Sequence, residues 1–204
     1  MIRAFRIPFS TNVERVALAL GHKGIDVDWV DVDPNDRTPV REASGQELVP
    51  VLEVDGQVVA DSTAILEYLE KRHPDPPLYP LAPARRAEAR IFVDWFNRVW
   101  KRPPNRLTDE LAKERPDEAL AGALAEELAG SRDLFEAMLC RRDYLLGDFT
   151  VADCASFPFL KYGLLWREED DEPFHRILMQ HLRFDDRYPR LEAWVRRVDQ
   201  HARA

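Results

Sequence analysis

The chain has 204 residues, a net charge of −8 and 45% hydrophobic residues, among them ten Phe and five Trp. That much apolar and aromatic material fills a core and excludes a disordered chain. The acidic balance argues against nucleic acid or an anionic membrane as partner. No apolar run approaches the ~20 residues of a membrane span, and the N-terminus MIRAFRIPFS has no long apolar stretch of the secretory type. Cys140 and Cys154 form neither a CxxC nor a metal-ligand spacing. A soluble, reduced, cytoplasmic protein without a metal is expected.

Ile2 to Ile7 alternates apolar and polar residues as a strand does, and Val13, Val16, Ala17 and Leu20 then recur at helical spacing. Asp26 to Val32 alternates again and is predicted to be a second strand, followed by a polar helix or loop over Asn35–Gly45. Pro50–Val54 and Gln57–Ala60 flank Asp55-Gly56, a strong hairpin signal. A helix follows, with Ile65, Leu66 and Leu69 inward and Glu67, Glu70 and Lys71 outward. The order βαβ then ββα predicts a four-stranded mixed sheet with helices packed on it. Residues 74–83, PDPPLYPLAP, hold five prolines, which no helix survives. This stretch is predicted to be a linker between a sheet domain, 1–73, and a second domain, 84–204. Beyond it the strand signal ends. Helices are expected over Ala84–Arg102, Asp117–Arg142, Val151–Trp166, Pro173–His181 and Arg187–Ala202, making the second domain all-α.

Four places carry possible chemistry. Thr11-x-x-Glu14 has capping-box spacing, which makes Thr11 the expected N-cap. Ser10 then stands free at the mouth of the first helix, where a hydroxyl can donate to an anion drawn by the helix dipole. Its alternative is an ordinary residue before a helix. Val49-Pro50 opens a strand. A cis bond there would leave the Val49 N–H and C=O to an extended peptide, whereas an isolated X–Pro bond favours trans. Asp61-Ser62 precedes the helix after the hairpin, where either residue can be a plain N-cap. Together they can also hold an amino-acid headgroup, Ser62 on its carboxylate and Asp61 on its ammonium. Thr150-x-x-Asp153 is a capping box in its acidic variant at the start of an apolar helix and reads as structural.

VPVLEVDG, ADSTAILEYLE, the proline-rich stretch and GDFTVADC, in this order, resemble the cytosolic glutathione transferases along the whole chain. The resemblance implies a thioredoxin-like N-terminal domain (βαβ-ββα) followed by an all-α helical domain, with glutathione as co-substrate. It implies a cis Pro50, Val49 binding the cysteinyl backbone of glutathione, and Asp61 with Ser62 holding its γ-glutamyl end. The glycyl carboxylate is expected to meet Arg41 or Arg37. IPFSTNVERVALAL looks like the omega-type and glutaredoxin-like members, whose pattern is PFCPFVxRV, with Ser10 in place of their nucleophilic cysteine. A serine forms no mixed disulfide, so thioltransferase chemistry is not expected. It can donate a hydrogen bond to the glutathione sulfur, and Asn12 can supply a second donor.

The resemblance thus implies a transferase that presents a glutathione thiolate to a small hydrophobic electrophile, in conjugation, dehalogenation, ether cleavage or isomerisation, as in detoxification. The alternatives are an inactive binding or regulatory module and a transferase for another low-molecular-weight thiol. The electrophile is expected between the Ser10 loop and the first helix of the second domain, where Phe92, Trp95, Phe96 and Trp100 form an aromatic stripe whose other reading is core. A homodimer is implied as well, pairing the segment 57–72 of one copy with helices 84–102 and 117–142 of the other.

Overall fold

The computed structural model describes residues 2–204. They divide into two compact units: residues up to 83 together with 201–204, and residues 84–200.

The first unit runs β1 (Ile2–Arg6), α1 (Thr11–His22), β2 (Asp28–Asp31), α2 (Thr38–Ser44), β3 (Val51–Val54), β4 (Gln57–Ala60) and α3 (Ser62–Arg72). The strands form one mixed sheet in the order β2-β1-β3-β4. β1 pairs parallel with β2, and the remaining pairs are antiparallel. This is the expected four-stranded thioredoxin-like sheet. Alternation sends Phe5 and Val51 to one face, where they meet Ile7, Val32 and Val40 of α2. Ala4 and Leu52 point to the other face and are wholly buried. There α3 packs on β3 and β4, with α1 beside it. The predicted second strand is trimmed to four residues. The polar stretch after it folds a two-turn helix that ends on Gly45 at φ 75°, a left-handed backbone suited to glycine.

One expectation for α3 is corrected. Glu70 does not face outward. It is 4% exposed, and it accepts from Lys23 Nζ at 3.0 Å and from the backbone N–H of Leu78 at 2.9 Å. Its carboxylate is buried because Leu78 and Tyr79, from the proline-rich stretch, are themselves buried. Lys23 also donates to the carbonyls of His73 and Pro76, so the stretch is fastened to the first unit.

The second unit comprises α4 (Pro83–Trp95), a π-type turn over Phe96–Trp100, α5 (Arg102–Leu111), α6 (Glu118–Met138), α7 (Val151–Leu160), α8 (Pro173–Leu182) and α9 (Pro189–Asp199). The single helix expected over 84–102 is instead α4 plus the wider turn, in which the Lys101 N–H reaches back to the Phe96 carbonyl. Pro103 and Pro104 then open α5, which the sequence reading did not contain. Proline suits a first helical turn, where its missing N–H would have no partner. Every residue of α7 is buried, as an all-round apolar helix must be. At its start Thr150 and Asp153 form the expected capping box. Asp153 also accepts from Trp194 Nε1 of α9 at 2.8 Å and from the Leu145 N–H at 3.1 Å, so one carboxylate ties α7 to α9 and to the preceding loop.

Candidate functional site

The strand register decides which loops meet. Phe5 pairs with Val51, and Val51 pairs with Ala60. The end of β1, the start of β3 and the end of β4 therefore lie side by side at one end of the sheet. The segments that continue from them carry Ser10, Val49-Pro50 and Asp61-Ser62, so residues 10, 49–50 and 61–62 are brought to one edge.

At the first of these, the expected capping is corrected. Ser10, not Thr11, is the N-cap of α1. Its Oγ accepts from the Val13 N–H at 3.4 Å and its carbonyl from the Glu14 N–H at 3.0 Å. Thr11 is the first helical residue and is buried. The chain reaches Ser10 through Phe9 at φ 61°, and Ser10 takes the extended ψ of 115° that a cap requires. A hydroxyl has one proton and two lone pairs, so capping uses an acceptor site and leaves the O–H to donate. Ser10 and Asn12 are both half-buried.

At the second, the Val49–Pro50 bond is cis. Pro50 is buried and Val49 half-buried. Asp75–Pro76 is also cis, which the sequence reading did not foresee.

At the third, Asp61 is the N-cap of α3. One carboxylate oxygen accepts from the N–H groups of Thr63 at 2.9 Å and Ala64 at 3.1 Å. Its backbone sits at φ 76° and ψ 126°, a region costly to a residue with a side chain, by about 1–3 kcal/mol. Ser62 is the first residue of α3 and only 4% exposed. The Ser62 hydroxyl and an exposed Asp61 carboxylate thus stand together at the start of α3, a combination that suits an amino-acid headgroup.

Arg41 and Arg37 lie on or beside α2. Arg41 is exposed and paired with Glu47, its Nε at 3.0 Å. Arg37 donates to the Pro34 carbonyl at 2.9 Å and the Glu47 carbonyl at 3.4 Å. Both are held close to the chain that leads into Val49.

Within the second unit, the aromatic stripe is largely core. Phe96 has no exposed surface and stacks on Trp100 at 4.4 Å, with Phe159 edge-on at 5.5 Å. Phe92 is 7% exposed. Trp95, against Phe92 at 5.7 Å and Phe135 at 6.1 Å, is the half-buried member of the stripe.

Sequence reasoning missed Arg15. It lies on α1 with 1% exposure and donates from Nη1 to Ser62 Oγ at 3.4 Å. Nothing in the α1 periodicity marks a buried arginine. The signal available was that Arg15 falls on the arginine of the PFCPFVxRV pattern.

A mixed βαβ-ββα sheet followed by a helical unit is the architecture of the thioredoxin-like transferases that use glutathione. Residues 5–77 match the family model "Glutathione S-transferase, N-terminal domain". The chain is 32% identical over 165 residues to glutathione S-transferase 3 of Zea mays, covering 74% of this chain and 73% of that one. It is 43% identical over 81 residues to a probable maleylacetoacetate isomerase of Caenorhabditis elegans, a match spanning 38% of each chain. Among solved structures, a Methylobacterium radiotolerans glutathione S-transferase in complex with glutathione sulfonate superimposes with a TM-score of 0.75. That likeness has 25% identity and covers 98% of this chain and 90% of that one. The chain belongs to the glutathione S-transferase family. No helix among the described residues is long and apolar enough to cross a membrane.

Proposed function

We propose that this chain is a cytoplasmic glutathione transferase in which Ser10 stabilises the thiolate of bound glutathione for attack on a small hydrophobic electrophile. The observation that carries the reading is the strand register, which brings the Ser10, Val49-Pro50 and Asp61-Ser62 segments to one end of the sheet. In this account the backbone of Val49 pairs with the cysteinyl residue. The Ser62 hydroxyl and backbone N–H take the γ-glutamyl carboxylate, Asp61 takes the ammonium, and Arg41 or Arg37 takes the glycyl carboxylate. The Ser10 O–H, with Asn12 as a second donor, faces the sulfur. Each unit by which the thiol pKa falls is worth ~1.4 kcal/mol of thiolate stabilisation.

The electrophile is held against Trp95, the member of the stripe whose surface a ligand can touch, with Phe92 and Phe96 packed behind it. Conjugation, dehalogenation, ether cleavage and isomerisation all begin with this thiolate. The name of the nematode relative adds weight to isomerisation among them. In this account the active species is a homodimer, whose expected mass in light scattering is twice that of the 23.7 kDa chain.

A thermal-shift titration with glutathione, followed by a screen of electrophiles, tests the proposal. A melting point that rises with glutathione, together with turnover of at least one electrophile, supports it. A rise without turnover on any electrophile class favours a binding module, and no rise at all favours another thiol or none.

A further inference from the structure

We propose that Arg15 is the positioning residue of the γ-glutamyl subsite, acting through Ser62 to make that subsite selective for a carboxylate. The inference rests on the glutathione reading above and adds a group that touches no substrate.

Arg15 lies on α1, five residues after Ser10, and α1 packs on α3. Its guanidinium reaches between the two helices, 1% exposed, and Nη1 donates to Ser62 Oγ at 3.4 Å. That is the long end of hydrogen bonding, in a range that tightens when a ligand arrives. The direction of the bond matters. Arginine has donors only, so Ser62 must accept with a lone pair. The single hydroxyl proton is then turned away from Arg15 and left to donate elsewhere. Without Arg15 the hydroxyl rotor is free to point its lone pairs at an incoming anion.

The guanidinium contributes a second effect. It stays charged at any working pH, and its charge is felt further in the dry interior between two helices than it would be in water. An anion at the start of α3 therefore meets an oriented O–H and a fixed positive charge behind it. A neutral group placed there gains neither.

The test compares glutathione with γ-aminobutyryl-cysteinyl-glycine, which lacks the γ-glutamyl α-carboxylate and keeps the rest of the tripeptide. Binding of each is measured calorimetrically to wild type, Arg15→Met and Arg15→Lys, with folding followed by circular dichroism. Wild type is expected to prefer glutathione by about tenfold or more, the scale of one charge-assisted hydrogen bond. Arg15→Met should abolish most of that preference by weakening glutathione alone, and should raise the KM for glutathione with kcat within about threefold. Arg15→Lys keeps the charge but loses the fork geometry, so its preference should fall by about threefold. That variant decides the matter if Arg15→Met does not fold. Full preference in either folded variant, or equal weakening of both ligands, overturns the role of Arg15. A wild type that binds glutathione without any preference refutes the carboxylate subsite itself, and a wild type that binds neither peptide refutes the glutathione reading.

Discussion

The Lys23 ammonium lies 3.0 Å from Glu70 Oε2, with 0% and 4% of the two side chains exposed. Two charges of opposite sign are thus withdrawn from water together and joined by the carbonyls of His73 and Pro76 and the N–H of Leu78. Removing one partner strands the other. Lys23→Met and Glu70→Leu should each cost about 3–5 kcal/mol in chemical denaturation. The loss should be accompanied by faster amide exchange over residues 74–80, because the pair fastens that stretch. A cost below about 1 kcal/mol would mean that the buried pair is replaceable and does not hold the segment.

Asp153 supplies a pH dependence. Burial between α7 and α9 pushes its carboxyl up to about 6, against the opposing pull of the Trp194, Leu145 and Thr150 donors. The folded state therefore holds this proton more tightly than the unfolded chain, whose value is 3.8. The contribution of Asp153 to stability is greatest below about pH 4 and declines as pH rises to about 6, by roughly 3 kcal/mol. Referenced to Asp153→Asn, which does not titrate, wild-type stability should fall across that window and be flat above it. A difference that is flat from pH 4 to 7, or that grows with pH, contradicts this.

Gly21 accommodates a close backbone approach. A Cβ there would press into the carbonyl of Ala202. The segment 201–204 lies along α1, with the Ala204 N–H on the Ala17 carbonyl, Trp29 Nε1 on the Ala204 carbonyl at 2.9 Å and Arg203 on Glu14 at 3.1 Å. Gly21→Ala should displace this segment, deprotect its amides and destabilise the protein by about 1–3 kcal/mol. Unchanged protection of residues 201–204 would show that the backbone shifts without consequence.

Ser62→Ala separates binding from capping. Asp61, not Ser62, caps α3, so helix stability should change by well under the ~1 kcal/mol of a lost cap. Glutathione affinity should nevertheless fall about tenfold or more through a lost charge-assisted hydrogen bond. Equal losses in melting and in binding would make Ser62 a packing residue.

The sheet and the hairpin were legible because period-two alternation and Asp55-Gly56 are local signals. Hidden from the sequence were features set by tertiary partners. Glu70 looked solvent-facing because nothing in the helix shows that Leu78 and Tyr79 will cover it. Thr11 looked like a cap because its spacing to Glu14 is right, while the turn at Phe9 moves the helix start back to Ser10. No helix was expected directly after Arg102, where Pro103-Pro104 in fact open α5. Arg15 stands at the arginine of the PFCPFVxRV pattern, but only the packing of α1 on α3 brings it to Ser62.

The central claim is that Ser10 lowers the pKa of the glutathione thiol without acting as a nucleophile. Its most direct test is the ultraviolet absorbance of the bound thiolate, titrated with pH in wild type and in Ser10→Ala. The account predicts a thiol pKa below that of free glutathione in wild type. It also predicts a rise by one unit or more in Ser10→Ala, with turnover falling about tenfold and glutathione affinity changed little. A bound thiol that titrates like the free tripeptide in wild type, or identically in both proteins, would contradict it.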